Sequence, residues 1–177
     1  MAKLARGLVL VYTGEGKGKS TSAFGLALRA VGQGLRVYLI QFIKGTWKTG
    51  EARAARRLAP ELEIQVGLGD GFTWVTQDPG QDRRTSRGIW ELGREAILSG
   101  RYELVILDEI NVALDLGHLG AEEVIGVLRQ RDPTLHVVLT GRGAPQALVE
   151  YADLVSEVRN VKHPFDQGVP AQRGIEF

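Results

Sequence analysis

The chain has 177 residues, 44% apolar and 24% charged, with 22 basic against 21 acidic side chains and a net charge of +1. That profile excludes disorder, collagen-like repeats and coiled coil, and the charge balance gives no global field toward nucleic acid or a membrane. The absence of cysteine removes disulfides, thiolate metal sites and cysteine nucleophiles and fits a reducing, cytoplasmic setting.

The length suits one domain, residues 1–177, able to bury roughly 70% of the surface its unfolded chain exposes. The start, Met1 to Arg6, is basic and leads into an apolar run. That run is too short for a signal peptide, and no small-residue cleavage site follows. Nothing approaches the ~20 apolar residues that cross a bilayer. Strand candidates are 8–12, 36–42, 63–66, 104–109, 136–140 and 154–161. The strongest are continuously apolar, as parallel strands covered on both faces should be.

Helical patterns alternate with them. Residues 19–31 put Phe24, Ala27, Leu28 and Val31 on one face and stop at Gly32 and Gly34. Residues 51–58 are short and Arg-rich, and 86–98 carry a stripe of Ile89, Leu92, Ala96 and Ile97 with Trp90 in the core. Residues 121–130 end at Asp132-Pro133, and 145–151 open on Pro145 as first helical residue. The alternation predicts an α/β fold, a doubly wound and mainly parallel sheet flanked by helices, with ligands at the carboxyl ends of the strands. Residues 67–85 and the tail 162–177 lack periodicity; a long irregular stretch like 67–85 is usually functional, and the tail is expected to wrap the surface.

Between the first strand and the first helix lies Thr13-Gly14-Glu15-Gly16-Lys17-Gly18-Lys19-Ser20-Thr21, the setting of a P-loop. Glycines let successive N–H groups turn toward phosphate oxygens, and the helix start adds its positive dipole end. Lys19 then neutralises phosphate charge, and the Ser20 hydroxyl ligates Mg²⁺. The strict pattern asks for glycine where this chain has Thr13; Gly14 and Gly16 supply the freedom instead, and Lys17 adds charge. Downstream, the apolar strand 104–107 ends in Asp108-Glu109, which resembles the second nucleotide motif of P-loop proteins, a Mg²⁺-holding carboxylate. Arg142, after Thr140-Gly141, either reaches phosphate or has a structural role.

These features specify a nucleoside triphosphate and Mg²⁺ but no reaction. No N-K-x-D base-reading sequence is present, which disfavours a GTPase, and the chain has little beyond the core that a hexameric motor needs. A small-molecule kinase, a phosphohydrolase and a non-catalytic nucleotide-binding carrier all remain readings of these residues.

The loop GEGKGKST, then AFGLALRAVGQG, QFIKGTWKTGE, GFTW, VILDEI, LTGRG and VKHPFDQGVPAQRGIEF, in that order, resemble the P-loop corrinoid adenosyltransferases of the CobA/BtuR type. The resemblance implies transfer of the 5′-deoxyadenosyl group of ATP to the cobalt of a reduced corrinoid, with triphosphate released. It further implies a triphosphate bound in reverse relative to other P-loop proteins, Mg²⁺ (or Mn²⁺) on Ser20 and Glu109, an electron donor such as a reduced flavoprotein, and a homodimer. Phe72 and Trp74 match the aromatic pair that removes the lower axial ligand of cobalt. Arg29 and Arg142 match positions near the nucleotide, and His163 and Asp166 the segment near the corrinoid. Trp47, in KGTW, has a ligand role or a packing role.

Overall fold

A computed structural model of the chain describes residues 6–42, 50–67 and 78–176. Six strands form one sheet: β1 (Val9–Thr13), β2 (Val37–Gln41), β3 (Leu62–Gln65), β4 (Leu104–Asp108), β5 (His136–Thr140) and β6 (Leu154–Glu157), in the order β3-β2-β4-β5-β1-β6. Every pairing is parallel, as the continuous apolar runs predict. The helices are α1 (Lys19–Gly32), α2 (Gly50–Ala55), α3 (Pro79–Leu98), α4 (Ile110–Asp115), α5 (Ala121–Gln130) and α6 (Gln146–Tyr151), with a 3₁₀ turn at Pro164–Gln167.

Strand side chains alternate between two cores, the period-two consequence of the pleat. Leu39, Leu104, Ile106 and Val138 face α1; Ile40, Val105, Leu107, Val137 and Leu139 face α3, α5 and α6. Each central strand is thus buried on both sides.

Two helices differ from the sequence expectation in an informative way. The face of α1 against the sheet is Lys19, Ala23, Ala27 and Ala30, while Leu28 is 60% exposed. Alanines let α1 lie close to the strands, and close approach outweighs the larger apolar side chain. Helix α3 begins at Pro79, inside the stretch expected to be irregular. Asp78 caps it by accepting from Gly80 N–H (2.9 Å) and Gln81 N–H (3.0 Å), and Pro79 occupies the first turn, where it loses no helical bond. Its first two turns bury Asp82 and Ser86 instead of apolar residues, so apolar periodicity starts late.

Smaller corrections concern boundaries. The sequence pattern does not predict α4, Pro145 caps α6 from outside instead of opening it, and β6 ends at Glu157, four residues early. Trp90 is fully buried, as expected, with its indole N–H donating to Glu123 (3.1 Å).

Candidate functional site

The carboxyl ends of β1, β4 and β5 converge at one end of the sheet. There the P-loop bends against the segment following β6. Val158 N–H donates to Thr13 carbonyl oxygen (2.8 Å), and Gly16 N–H donates to Val158 carbonyl oxygen (2.7 Å). Gly14 has φ +93°, and a Cβ there would lie 2.6 Å from Val158 carbonyl oxygen; at Gly16 it would lie 2.5 Å from Arg159 carbonyl oxygen. These glycines are therefore required by backbone packing as well as by any phosphate. Thr13 stands in place of the usual glycine and puts its hydroxyl to use. Its oxygen accepts from Ala144 N–H (3.3 Å), tying the loop's root to the β5–α6 turn.

Lys19 opens α1 and is only 6% exposed. Its ammonium donates to the carbonyl oxygens of Gly14 (2.6 Å) and Gly16 (2.7 Å), so it folds back under its own loop. Burial pushes its pKa below the usual 10.5; Glu109 opposes that shift and Arg142 reinforces it. A desolvated cation beneath a ring of backbone groups is a strong attractor for a polyanion that can replace those carbonyls.

The second motif divides its two carboxylates by role. Asp108 is fully buried, with one oxygen accepting from Gln41 Nε2 (3.1 Å) and the other from the Thr140 hydroxyl (2.8 Å). Thr140 Oγ1 in turn accepts Glu109 N–H (2.9 Å). Glu109 sits at φ 65°, left-handed, and caps α4. A non-glycine residue there costs of order 1–3 kcal/mol and persists only where its surroundings hold it. Asp108 and Thr140 do so. Asn111 reinforces the junction by donating to Gly141 carbonyl oxygen (3.2 Å).

Among the described residues, a cleft of about 490 Å³ is lined by the run Glu15 to Thr21 together with Glu51, Glu109, Arg142, Asn160, His163, Phe165, Asp166, Ile175 and Glu176. The fold thus collects Glu15, Gly16, Lys17, Gly18, Lys19, Ser20, Thr21, Glu109, Arg142, His163 and Asp166 in one place, while Thr13 and Gly14 form the loop's root. Arg142 Nε lies 3.4 Å from Glu15 Oε2, and Lys17 is paired with Glu176. His163 Nδ1 accepts Phe165 N–H (3.2 Å), setting the 3₁₀ turn of the tail.

Arg29 is not brought to this cleft. It lies in the last turn of α1, exposed, ten residues from Lys19 and so about 15 Å along the axis. Phe72, Trp74 and Trp47 lie outside the described residues. Reasoning from sequence misses Gln41, Thr140, Glu51 and Glu176. For the first two a cue exists: β2, β4 and β5 each end an apolar run on a polar residue, and register pairs Gln41 with Asp108.

Fold comparison places the chain near the flagellar accessory protein FlaH of Methanocaldococcus jannaschii, at TM-score 0.58 and 12% identity, covering 86% of this chain and 71% of that one. That likeness concerns architecture alone. Sequence relatives are much nearer. The corrinoid adenosyltransferase of Pseudomonas aeruginosa is 44% identical over 176 residues, 99% of this chain and 86% of the relative. Corrinoid adenosyltransferase CobA of Salmonella typhimurium is 44% identical over 177 residues, 99% of this chain and 88% of the relative. The sequence profile described as ATP:corrinoid adenosyltransferase BtuR/CobO/CobP matches residues 5–177, from before the P-loop through the tail. With P-loop, paired carboxylates and tail all inside that match, the chain belongs to the ATP:corrinoid adenosyltransferase family.

Proposed function

We infer that this protein transfers the 5′-deoxyadenosyl group of ATP to the cobalt of a reduced corrinoid and releases triphosphate. The observation that carries the reading is the buried Lys19 at the base of a cleft walled by the P-loop and the tail, in a chain matched by the family from residue 5 to 177. Neither the kinase reading nor the carrier reading gains support from its relatives.

In the transfer, the electron pair of Co(I) attacks ribose C5′. The Co–C bond forms as the C5′–O bond breaks, and that pair departs with the triphosphate oxygen. No proton moves at the reacting centre. The protein's contribution is alignment and charge: an in-line approach and stabilisation of the leaving polyanion. Lys19 and Lys17 would supply positive charge to the triphosphate, and the start of α1, on the same cleft, would add the positive end of its dipole.

The donors present suit Mg²⁺ (or Mn²⁺). The Ser20 hydroxyl and the Glu109 carboxylate line the same cleft and would offer hard oxygen ligands, and Asp108 lies buried behind them, bonded to Gln41 and Thr140. One or two protein ligands beside substrate phosphates is the ordinary Mg²⁺ arrangement, and such an ion supplies charge neutralisation to the triphosphate. Phe72 and Trp74 are assigned, on family resemblance, to displacing the lower axial ligand so that Co(II) accepts an electron from a donor such as a reduced flavoprotein. His163 and Asp166 are assigned to the corrinoid side of the cleft. Arg29, far from the cleft within one chain, has a nucleotide role only if another segment or a second copy meets it; a homodimer in the cytoplasm is part of this reading.

The test is product analysis. Protein incubated with ATP, Mg²⁺ and chemically reduced corrinoid should yield triphosphate and a light-sensitive Co–C product in equal amounts over many turnovers. ADP and orthophosphate as the sole products would overturn the assignment.

A further inference from the structure

The fixed cations of the cleft all have internal partners before any substrate arrives. Among the described residues these cations are Lys17, Lys19 and Arg142. Lys19 is held by loop carbonyls, Arg142 by Glu15, and Lys17 by Glu176. The last pair is the unusual one. Its carboxylate comes from the opposite end of the chain, 159 residues away.

Glu176 is presented by a defined turn. Its N–H donates to Gln172 carbonyl oxygen (2.8 Å), as does Ile175 N–H (3.1 Å). Upstream the tail is shaped by the His163-capped 3₁₀ turn, closed by Gly168 at φ 75°. The Glu176 side chain is 22% exposed against 40% for Lys17, so the carboxylate sits inside the cleft mouth, beside the P-loop. A carboxylate at that spot offers Lys17 the same kind of anionic oxygen that a phosphate does.

We propose that Glu176 is an affinity-setting residue for the polyphosphate, an internal anion that any triphosphate must displace from Lys17 on binding and that returns to Lys17 on release. The proposal rests on the adenosyltransferase reading for its purpose, because the reaction leaves a free triphosphate in the site that is bound by the same groups that held the phosphates of ATP. An enzyme that holds this polyanion tightly in the transition state must still let it go. A returning carboxylate lowers the affinity for ATP and triphosphate together, and leaves untouched the affinity of any ligand lacking phosphate. A partly exposed ion pair is weak; adding the removal of one negative charge facing a polyanion gives an effect of about threefold to tenfold in dissociation constant.

The experiment is calorimetric titration of wild type and Glu176→Gln with MgATP, with inorganic triphosphate and with adenosine. Glutamine keeps the shape of the turn and removes the charge. Expected are about threefold to tenfold tighter binding of MgATP and triphosphate, stronger product inhibition by triphosphate, no change for adenosine, and a difference that shrinks at high salt. Unchanged triphosphate binding in the variant overturns the proposal, because Lys17–Glu176 is then an ordinary surface pair. Weaker binding also overturns it, since Glu176 would then hold the tail closed over the ligand. Tighter triphosphate binding by the variant, in a protein whose wild type alkylates no corrinoid, would sink the reaction assignment while leaving the exchange intact.

Discussion

The two walls of the cleft are built on different principles. The P-loop wall is fixed from beneath: Lys19 is buried, Gly14 and Gly16 are pressed against Val158 and Arg159, and Thr13 is tied to Ala144. Among the described residues, the tail wall is held by turns and the Lys17–Glu176 ion pair, and it leaves Phe165 75% and Ile175 70% exposed. A site for a polyanion of fixed shape profits from a rigid wall, since alignment is most of what the protein offers the reaction. A wall held by turns and exposed side chains is less constrained in the free protein, and local opening there costs little.

The comparison breaks most visibly at Lys19. Lys19→Ala removes the buried cation and leaves the Gly14 and Gly16 carbonyls without their donor. Loss of a charge-assisted contact to a leaving group is expected to lower kcat/KM about 10²- to 10³-fold. Triphosphate release with saturating reduced corrinoid measures it, and a loss below about fivefold would move the leaving-group role elsewhere. Next in size is Gly16→Ala. Its methyl would sit 2.5 Å from a backbone oxygen, where nothing flexible can give way. Overpacking of this kind costs about 1–3 kcal/mol, read as a lower urea midpoint accompanied by weaker ATP binding. An unchanged midpoint would show that the segment at Val158–Arg159 yields, and that the rigid wall is not rigid.

How much of this is legible in the sequence follows the same division. The residues of the rigid wall are local in sequence, glycines, lysines and hydroxyls within nine residues between an apolar run and a helix, although their anchors at Ala144, Val158 and Arg159 are not. Strands β4 and β5 and helix α5 can be placed because continuous apolar runs and a Gly120-to-Asp132 frame are local too. Glu176 carries no such mark, because its partner is 159 residues distant and neither neighbour in sequence points to it. The apolar pattern makes α3 too short because Asp82 and Ser86 fill buried positions, with Ser86 Oγ bonded to His118 Nδ1 (3.0 Å). Its true start signal is Asp78-Pro79. Helix α4 escapes the pattern because its cap is Glu109 in a left-handed conformation, a geometry imposed by Thr140 and Asp108 and invisible locally.

A smaller effect separates the buried His118 and the half-buried His136 from the exposed tail. His118 is pushed below 6.5 by burial, with Asp82 opposing; His136 is pushed down by burial and by Arg131. His136 also uses Nδ1 to accept Leu8 N–H (3.1 Å), which only the unprotonated nitrogen can do. Because both folded values are depressed, the unfolded chain binds more protons once pH falls below about 6.5. Stability should then be flat well above that pH and decline as pH drops toward and through the folded values. Urea midpoints measured between about pH 7.5 and 5 check this, and His136→Gln should flatten part of the slope. A stability curve that rises on acidification would contradict the desolvation of both rings.

The smallest expected effect is the most exacting control on the rigid wall. Gly25 lies in the middle of α1, six residues after Lys19, and a Cβ there meets nothing within 4 Å. Its backbone is ordinary helix, without the positive φ of Gly14 or Gly18. Gly25→Ala should therefore stabilise the protein by about 0.5–1 kcal/mol, chiefly by restricting the unfolded chain. Because α1 is the lever on which Lys19 is mounted, stiffening it tests whether the loop is already at its working geometry. If the P-loop wall is preorganised, ATP affinity and turnover stay as they are while the urea midpoint rises. Should turnover fall with the stability gain, α1 must bend when Lys19 exchanges carbonyls for phosphate, and the two walls would then move together.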